Sequence, residues 1–251
     1  MCSTQITELD KAPGGPPGFF GLNCGPGLRP FTPAGCVRSN RWHTSDDGQG
    51  RAFPLPNELF PDDWFARLRR EDLFTGDAPI ELDLGCGDGS FLARMAGHFP
   101  ERNFLGVERL LGRIRKVSRK SVTANLANVR VLRSDSNYAV GWLLPQGFAS
   151  RIHFLCPDPW PKKKHAARRQ MSQPGFLRAL HGLLAPGGEL LFMTDAPAYF
   201  EEALAASERC PYFATEPWKE GDFFYAKTDF EEQWLAEGRT MHRLRLRKGE
   251  D

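Results

Sequence analysis

The chain has 251 residues, of which 41% are hydrophobic and 25% are charged, and its net charge at pH 7 is +2. This balance is typical of a soluble globular protein, and the length suits one large domain or two small ones. No apolar run approaches the roughly 20 residues that span a bilayer, so we expect no membrane partner. Because the net charge is small, any nucleic-acid surface has to be sought locally.

The first 50 residues differ in composition from the rest of the chain. They hold nine Gly and six Pro and show no periodic apolar pattern. We expect residues 1–50 to be a mobile tail or a start-site artefact, and residues 51–251 to form a single domain. The N-terminus lacks the basic and apolar regions of a secretory signal, and the six cysteines form no CxxC pair. These two features predict a cytoplasmic protein without a bound metal.

Strand-like and helix-like segments alternate along the remainder of the chain. Predicted strands cover residues 80–84, 103–108, 129–132, 151–156, 189–193 and 239–248. Predicted helices cover residues 62–70, 90–99, 110–125, 173–184 and 198–207. The alternation predicts a doubly wound, Rossmann-like α/β sheet, mostly parallel with a C-terminal antiparallel strand. Ligands of such sheets bind at the carboxyl ends of the strands. Five acids lie at predicted strand ends, namely Asp83, Glu108, Asp135, Asp158 and Asp195.

A glycine-rich turn follows the first of these strands, where residues 83–89 read DLGCGDG. Such a turn lets the backbone approach a ligand without a Cβ clash. A dinucleotide fingerprint would place its third glycine at position 90, which is Ser. The spacing resembles instead the first motif of class I S-adenosylmethionine methyltransferases, and an ordinary strand-to-helix turn is the alternative. The cofactor-binding residues expected here are Asp83, Gly85, Gly87 and Gly89.

Two further acids are expected to contact a nucleoside. Glu108 closes the second strand, where a carboxylate can accept both ribose hydroxyls. Asp135 follows the third strand, and in a methyltransferase an acid at this place accepts from the adenine amino group. The alternatives are a helix cap for Glu108 and a polar turn for Asp135.

The segment after the fourth strand combines prolines, an aromatic side chain and a basic cluster. Residues 157–165 read PDPWPKKKH, and Arg168 and Arg169 follow. The three prolines stiffen the loop, which is expected to hold Asp158 and Trp160 beside the reactive end of the cofactor. An aromatic next to a basic cluster suits a stacked base and a phosphate backbone. A solvated basic face and a Trp used for packing are the alternatives. The basic helix over residues 110–125 is a second surface with the same two interpretations.

This segment resembles the hallmark of the bacterial tRNA (guanine-N7-)-methyltransferases. Further similarity to the family lies, in order, at residues 82–87, 104–108, 194–195 and 228–231, and the resemblance covers about residues 53–247. The sequence departs from the family pattern in its GCGDG element and at Asp229, where Lys or Arg is usual. It also has Met241-His242-Arg243 where the family usually has Gly-His and Trp.

The resemblance implies methyl transfer from S-adenosylmethionine to N7 of guanine 46 in the variable loop of tRNA, by a monomer or homodimer. Asp158 is implied as the catalytic residue and as a cofactor contact. The implied substrate-binding residues are Trp160, Lys162, Lys163, Lys164, Arg168, Arg169, Thr194, Asp195, Thr228, Phe230 and Glu231. Two other functions stay open: a class I methyltransferase acting on a small molecule or protein, and a non-catalytic RNA-binding protein on a methyltransferase fold.

Overall fold

The computed structural model describes residues 55, 57–219 and 221–249, apart from the side chain of Lys163. The predicted tail at residues 1–50 and the predicted domain start at residue 51 lie outside this range, so both stay predictions. No helix within the described ranges is long and apolar enough to cross a membrane.

In the described part of the chain, eight strands form one sheet. The strands are β1 (Glu58–Leu59), β2 (Ile80–Leu84), β3 (Asn103–Glu108), β4 (Val129–Arg133), β5 (Ala149–Leu155), β6 (Leu184–Thr194), β7 (Phe213–Glu216) and β8 (His242–Lys248). Their order is β1-β4-β3-β2-β5-β6-β8-β7, and β8 runs antiparallel to both of its neighbours. The predicted α/β sheet, mostly parallel with a C-terminal antiparallel strand, is confirmed.

Helices connect the strands and cover the sheet. They are α1 (Arg70–Leu73), α2 (Ser90–His98), α3 (Leu111–Thr123), α4 (Ser136–Tyr138), α5 (Pro174–Leu183), α6 (Pro197–Glu208) and α7 (Asp229–Ala236). Side chains of α2 and α3 pack with β3 and β4 in one apolar cluster, whereas α5 and α6 pack with β2, β5 and β6 in another. The two clusters follow the alternation of side chains along each strand. A π-helical turn (Ala139–Leu143) and two 3₁₀ turns (Lys163–Arg168 and Gln170–Ser172) complete the fold.

The strand order reverses at the centre of the sheet. From β2 the chain continues to β3 on one side, whereas β5 lies on the other side of β2 and leads on to β6. In doubly wound sheets, this reversal opens a crevice at the carboxyl ends of the central strands. The ends of β2, β3, β4 and β5 therefore define where a ligand is expected.

A buried polar network joins β2 to β5 on the face of the sheet that also carries Asp83. Glu81 accepts from Arg102 at 2.7 Å and lies 2.7 Å from His153 Nε2. Burial opposes a charge on Glu81, but the contact with His153 and the charges of Arg151 and Arg102 outweigh it and lower its pKa to about 2. The network holds the two central strands together just below the crevice.

The prediction of a helix over residues 62–70 is wrong. This stretch forms turns, and α1 begins only at Arg70. The carboxylate of Asp63 accepts from the backbone N–H of Phe65 at 2.8 Å, which is a local bond that competes with the helical ladder. The elements β1, α4, β7 and α7 were not predicted. The last strand, expected over residues 239–248, begins at His242 and lies between β6 and β7 rather than at the edge of the sheet.

Candidate active site

A cleft of about 1010 Å³ lies at the carboxyl ends of the central strands. Its wall contains most of the residues predicted from the sequence: Asp83, Gly85, Gly87, Glu108, Asp135, Asp158, Trp160, Arg168, Thr228 and Phe230. These residues come from six separate segments of the chain, so the fold brings them together. No cluster of three or more His, Cys, Asp or Glu side chains suited to a metal ion occurs among the described residues.

The glycine loop, residues 85–89, forms the floor of the cleft. Gly85 and Gly87 have left-handed backbone conformations, with φ of +75° and +59°. The backbone N–H of Gly85 donates to Val107 at 2.8 Å, which ties the loop to β3. Gly89, which was predicted as a cofactor contact, does not line the cleft. A Cβ at Gly89 would lie 2.9 Å from the side chain of Val117, so this glycine lets α2 approach α3.

Two buried carboxylates stand side by side above the glycine loop. Asp83 is the penultimate residue of β2 and Glu108 is the last residue of β3, and both side chains are buried. Burial, followed by the negative charge of Glu108, raises the pKa of Asp83 to about 7. Glu108 accepts from the backbone N–H of Leu110 at 2.8 Å and from Arg113 at 3.4 Å. The pair gives this end of the cleft a strong preference for a cation and for hydroxyl donors.

Asp135 lies at the rim of the cleft after β4. One of its carboxylate oxygens accepts from the backbone N–H groups of Asn137 and Tyr138, at 2.9 and 3.4 Å. Asp135 is therefore the N-cap of α4, and the polar turn that the sequence left as an alternative is present. Its second oxygen has no such bond and is available to a ligand in the cleft.

The Asp158 loop, residues 157–161, forms the opposite wall. Cys156, just before the loop, and Trp160 within it have positive φ values of +51° and +43°. Non-glycine residues adopt this conformation only when their surroundings enforce it, and such strain clusters at functional sites. The Asp158 side chain is exposed at the rim. The guanidinium of Arg168 lies 4.6 Å above the Trp160 ring, which joins the loop to the 3₁₀ turn Lys163–Arg168.

The beginning of α7 closes the cleft from the C-terminal side. The Thr228 side chain accepts from the backbone N–H of Glu231 at 3.0 Å and caps the helix. Phe230 is half exposed and stacks on Trp234, with ring centroids 5.5 Å apart. Both rings line the cleft and offer it an aromatic surface.

Comparison with known proteins identifies the family. A family model described as "Putative methyltransferase" matches residues 77–244. The tRNA (guanine-N(7)-)-methyltransferase of Chlorobium phaeobacteroides is 36% identical over 170 residues, which cover 67% of this chain and 81% of that protein. The chain belongs to the tRNA (guanine-N(7)-)-methyltransferase family.

Two further matches place this membership in context. The tRNA (guanine-N(7)-)-methyltransferase of Thermotoga maritima is 32% identical over 75% of this chain, and the match spans 58% of that longer protein. Among solved structures, the antibiotic-resistance methyltransferase Kmr matches with a TM-score of 0.50 and 24% identity, covering 73% of this chain and 94% of Kmr. The match to Kmr supports the methyltransferase fold alone.

The unusual Asp229 of this family member has a partner. Its carboxylate lies 2.5 Å from the guanidinium of Arg94 on α2, which also pairs with Glu232 at 2.8 Å. Arg94 in addition donates to the backbone carbonyl of Lys227 at 2.7 Å. Asp229 thus fastens α7 to the helix that follows the glycine loop, a task that Lys or Arg at this position would not perform opposite Arg94.

Three residues expected to contact the guanine do not line the cleft. Thr194 is buried, and its hydroxyl accepts from the backbone N–H of Ala196 at 3.2 Å. Asp195 pairs with Arg239 at 2.9 Å. Glu231 is fully buried, and one of its oxygens accepts from Arg243 at 2.8 Å. The structure places these three side chains behind the wall of the cleft, each bonded to another group of the protein, and their contact with the base stays a prediction.

Arg169 is also placed differently from the prediction. Its side chain is buried and bonded to the backbone of the Asp158 loop, whereas Lys162, Lys164 and Arg168 are exposed. Arg169 therefore does not belong to the exposed basic surface. The side chain of Lys163 lies outside the described residues.

Sequence reasoning missed several residues that line the cleft. Phe91, Trp234, Asn137 and Gln170 all contribute to its wall, and Gln170 donates to Asn137 at 2.8 Å. The spacing of Phe230 and Trp234 by four residues was a usable sign of one helical face. No local signal marks the other three, because they approach the cleft only through the fold.

Proposed function

We propose that this chain transfers a methyl group from S-adenosylmethionine to N7 of guanine 46 in the variable loop of tRNA, in the cytoplasm and as a monomer or homodimer. Family membership supports the reaction and the class of substrate. The observation that carries the proposal is that one cleft contains the glycine loop, the paired acids of β2 and β3, and the Asp158 loop with its basic turn.

The residues of the cleft fit S-adenosylmethionine. The buried carboxylate of Asp83 suits the ammonium group of the methionine part, because a cation offsets the burial and repulsion that raise its pKa. Glu108 suits the ribose hydroxyls, which would replace the long contact with Arg113. The open oxygen of Asp135 suits the adenine amino group. When bound, the cofactor supplies an electrophilic methyl group on a positively charged sulfur.

Guanine N7 carries an in-plane lone pair, so its methylation requires no base to remove a proton. The chain's task is to hold the purine in line with the methyl group, about 3 Å from it. The purine gains positive charge as the bond forms, and the exposed carboxylate of Asp158 is placed to stabilise that charge. Trp160, Phe230 and Trp234 provide aromatic faces for the base.

In this proposal, two basic segments hold the RNA backbone. One rim is the segment with Lys162, Lys163, Lys164 and Arg168, and the other is the start of α3. Arg109, Arg113 and Lys116 of the second rim line the same cleft as Arg168. Phosphates on both sides of a flipped guanine would then meet positive charge.

The reaction is tested by incubating the purified chain with S-adenosylmethionine and an unmodified tRNA transcript. Borohydride reduction followed by aniline cleaves RNA at 7-methylguanosine, and the cleavage site locates the methyl group. We expect one cut at guanine 46, which is lost when that guanine is replaced by adenine. Cleavage at another guanine would contradict the proposed position. Methylation of a small molecule or protein alone would favour a different methyltransferase, and failure to bind S-adenosylmethionine in calorimetry would favour a non-catalytic RNA-binding protein.

A further inference from the structure

Arg169 is held by three different acceptors. Its Nε donates to the backbone carbonyl of Pro159 at 2.9 Å, and one Nη donates to the carbonyl of Trp160 at 3.1 Å. The other Nη donates to the carboxylate of Glu202 on α6 at 2.6 Å. Glu202 is held in turn by the hydroxyl of Ser172 at 3.1 Å. A buried cation with this many directed bonds is committed to the protein interior.

The bonds meet the Asp158 loop where its backbone is strained. Trp160 has a φ of +43°, and its carbonyl and that of Pro159 are both fixed by Arg169. Prolines on either side of Asp158 remove backbone N–H donors that could otherwise anchor the loop. The guanidinium is therefore the main link from this loop to the rigid helix α6.

Its neighbour Arg168 provides the contrast. Arg168 is exposed, lines the cleft and lies over the face of the Trp160 ring. Two adjacent arginines of one basic motif thus point to opposite sides of the loop, one toward the proposed RNA surface and one toward α6.

We propose that Arg169 and Glu202 are positioning residues, which clamp the Asp158 loop onto α6 so that Asp158 and Trp160 face the reacting purine. This inference rests on the proposed function and adds to it a pair of residues that contact neither RNA nor cofactor. A fixed loop matters because methyl transfer depends on alignment, and a displacement of about 1 Å can cost up to 100-fold in rate.

The test compares Arg169→Lys and Glu202→Gln with Arg178→Lys, a control outside the cleft, and all three keep the fold's packing volume nearly unchanged. Lys at position 169 keeps the charge but lacks the planar guanidinium fork whose separate nitrogens reach these three acceptors. We expect kcat to fall by about 10- to 100-fold in Arg169→Lys, with the KM for tRNA and the Kd for S-adenosylmethionine within about threefold of wild type. Glu202→Gln should lower kcat in the same manner but less, because the amide oxygen still accepts one bond. Arg178→Lys should keep kcat within about threefold, since this exposed arginine lies outside the cleft and contacts Tyr212.

A different pattern would overturn the proposal. If Arg169 binds phosphate, Arg169→Lys stays near wild type in kcat and Glu202→Gln has no effect on it. A rise in KM with unchanged kcat would likewise assign Arg169 to RNA binding. Melting temperatures of all three variants show that each chain is folded.

A second measurement needs no activity. Labelling the six tryptophans with 5-fluorotryptophan gives one ¹⁹F signal each, and Trp160→Phe assigns the signal of Trp160. The Trp160 signal should shift or broaden in Arg169→Lys and Glu202→Gln, but not in Arg178→Lys, whose arginine contacts Tyr212 instead. An unchanged Trp160 signal contradicts the clamp. If the wild type methylates no tRNA while the signal shifts as expected, the proposed function fails and the clamp stands.

Discussion

Burial of the charged Asp83 carboxylate beside Glu108 lowers the stability of the folded protein. A carboxylate buried beside Glu108 is disfavoured in its charged form, so its pKa rises from 3.8 to about 7. The unfolded chain binds fewer protons than the folded chain between these two values, and stability therefore falls as the pH rises through this window. The cleft tolerates this cost because the same carboxylate suits a cationic ligand.

The substitution Asp83→Asn tests whether the buried carboxylate lowers the stability of the folded protein. We expect the folded protein without cofactor to gain stability relative to wild type, by an amount that grows from pH 4 to pH 7 and then levels at up to about 4 kcal/mol. S-adenosylmethionine should bind roughly 10- to 150-fold more weakly, since a charge-assisted bond is lost. Melting temperatures measured across the pH range and calorimetric titration give both quantities. The matched control is Asp77→Asn at an exposed site, and an equal pH profile for the two variants would contradict the account.

Asp158 is the residue on which the chemistry is proposed to depend. Asp158→Ala should lower kcat by roughly 10²–10³, the scale of one electrostatic group in a transition state. The Kd for S-adenosylmethionine should change much less, because the paired acids and the glycine loop stay intact. Single-turnover methylation and calorimetry separate the two effects. Wild-type turnover in this variant would remove Asp158 from the mechanism.

At the scale of elements, the link between α2 and α7 connects the cofactor side of the cleft to the substrate side. Arg94 follows the glycine loop on α2 and pairs with Asp229 at the start of α7, beside Thr228 and Phe230. Both partners are partly exposed, so the pair is worth only about 0.2–1 kcal/mol. Its importance is that it sets where α7 meets the cleft.

Restoring the family's usual charge at this position should be harmful. Asp229→Lys places two cations together, and we expect a loss of about 1 kcal/mol in stability and a higher KM for tRNA. In an Arg94→Met background, the same substitution should cost almost nothing. Chemical denaturation of the four proteins in this cycle gives the coupling energy. Equal effects of Asp229→Lys in both backgrounds would show that Arg94 and Asp229 are not energetically coupled.

The sequence allowed some elements to be predicted better than others. β3 matches its predicted bounds, because a short apolar run with a clear acidic end carries its own signal. The turns over residues 62–70 depend on local carboxylate bonds, and the insertion of β8 between β6 and β7 depends on pairing with distant strands. Neither of these leaves a periodic trace in the sequence.

Across the whole molecule, the sequence predicted the positions of the site's acidic residues better than the positions of its basic residues. Acids at the ends of parallel strands converge for topological reasons, which is why Asp83, Glu108, Asp135 and Asp158 meet in one cleft. Arg169 looked like one more member of a basic run. Only the folded structure shows that its side chain pairs with Glu202, which lies 33 residues away in the chain. The orientation of Thr194, Asp195 and Glu231 behind the wall is likewise a matter of packing.

The charge of the whole molecule is nearly balanced, so RNA affinity should depend on the exposed rim. Changing Lys162, Lys164 and Arg168 together to Gln should weaken tRNA binding and leave S-adenosylmethionine binding unchanged. The slope of log affinity against log salt should flatten by up to about 3 units if all three contact phosphate.

The matched control removes three exposed cations outside the basic segment that follows the Asp158 loop, namely those of Arg178, Arg209 and Lys219. Its salt slope should stay close to that of the wild type. Equal slopes for both triple variants would show that the rim is a solvated basic face without a specific role.

The most direct test identifies the atom that receives the methyl group. Purified protein is incubated with unmodified tRNA and S-adenosylmethionine carrying a deuterated methyl group, and the digested nucleosides are analysed by mass spectrometry. We expect the label in 7-methylguanosine, and we expect Asp158→Ala to remove most of it. Label in any other nucleoside, or none in the presence of bound cofactor, would contradict the account.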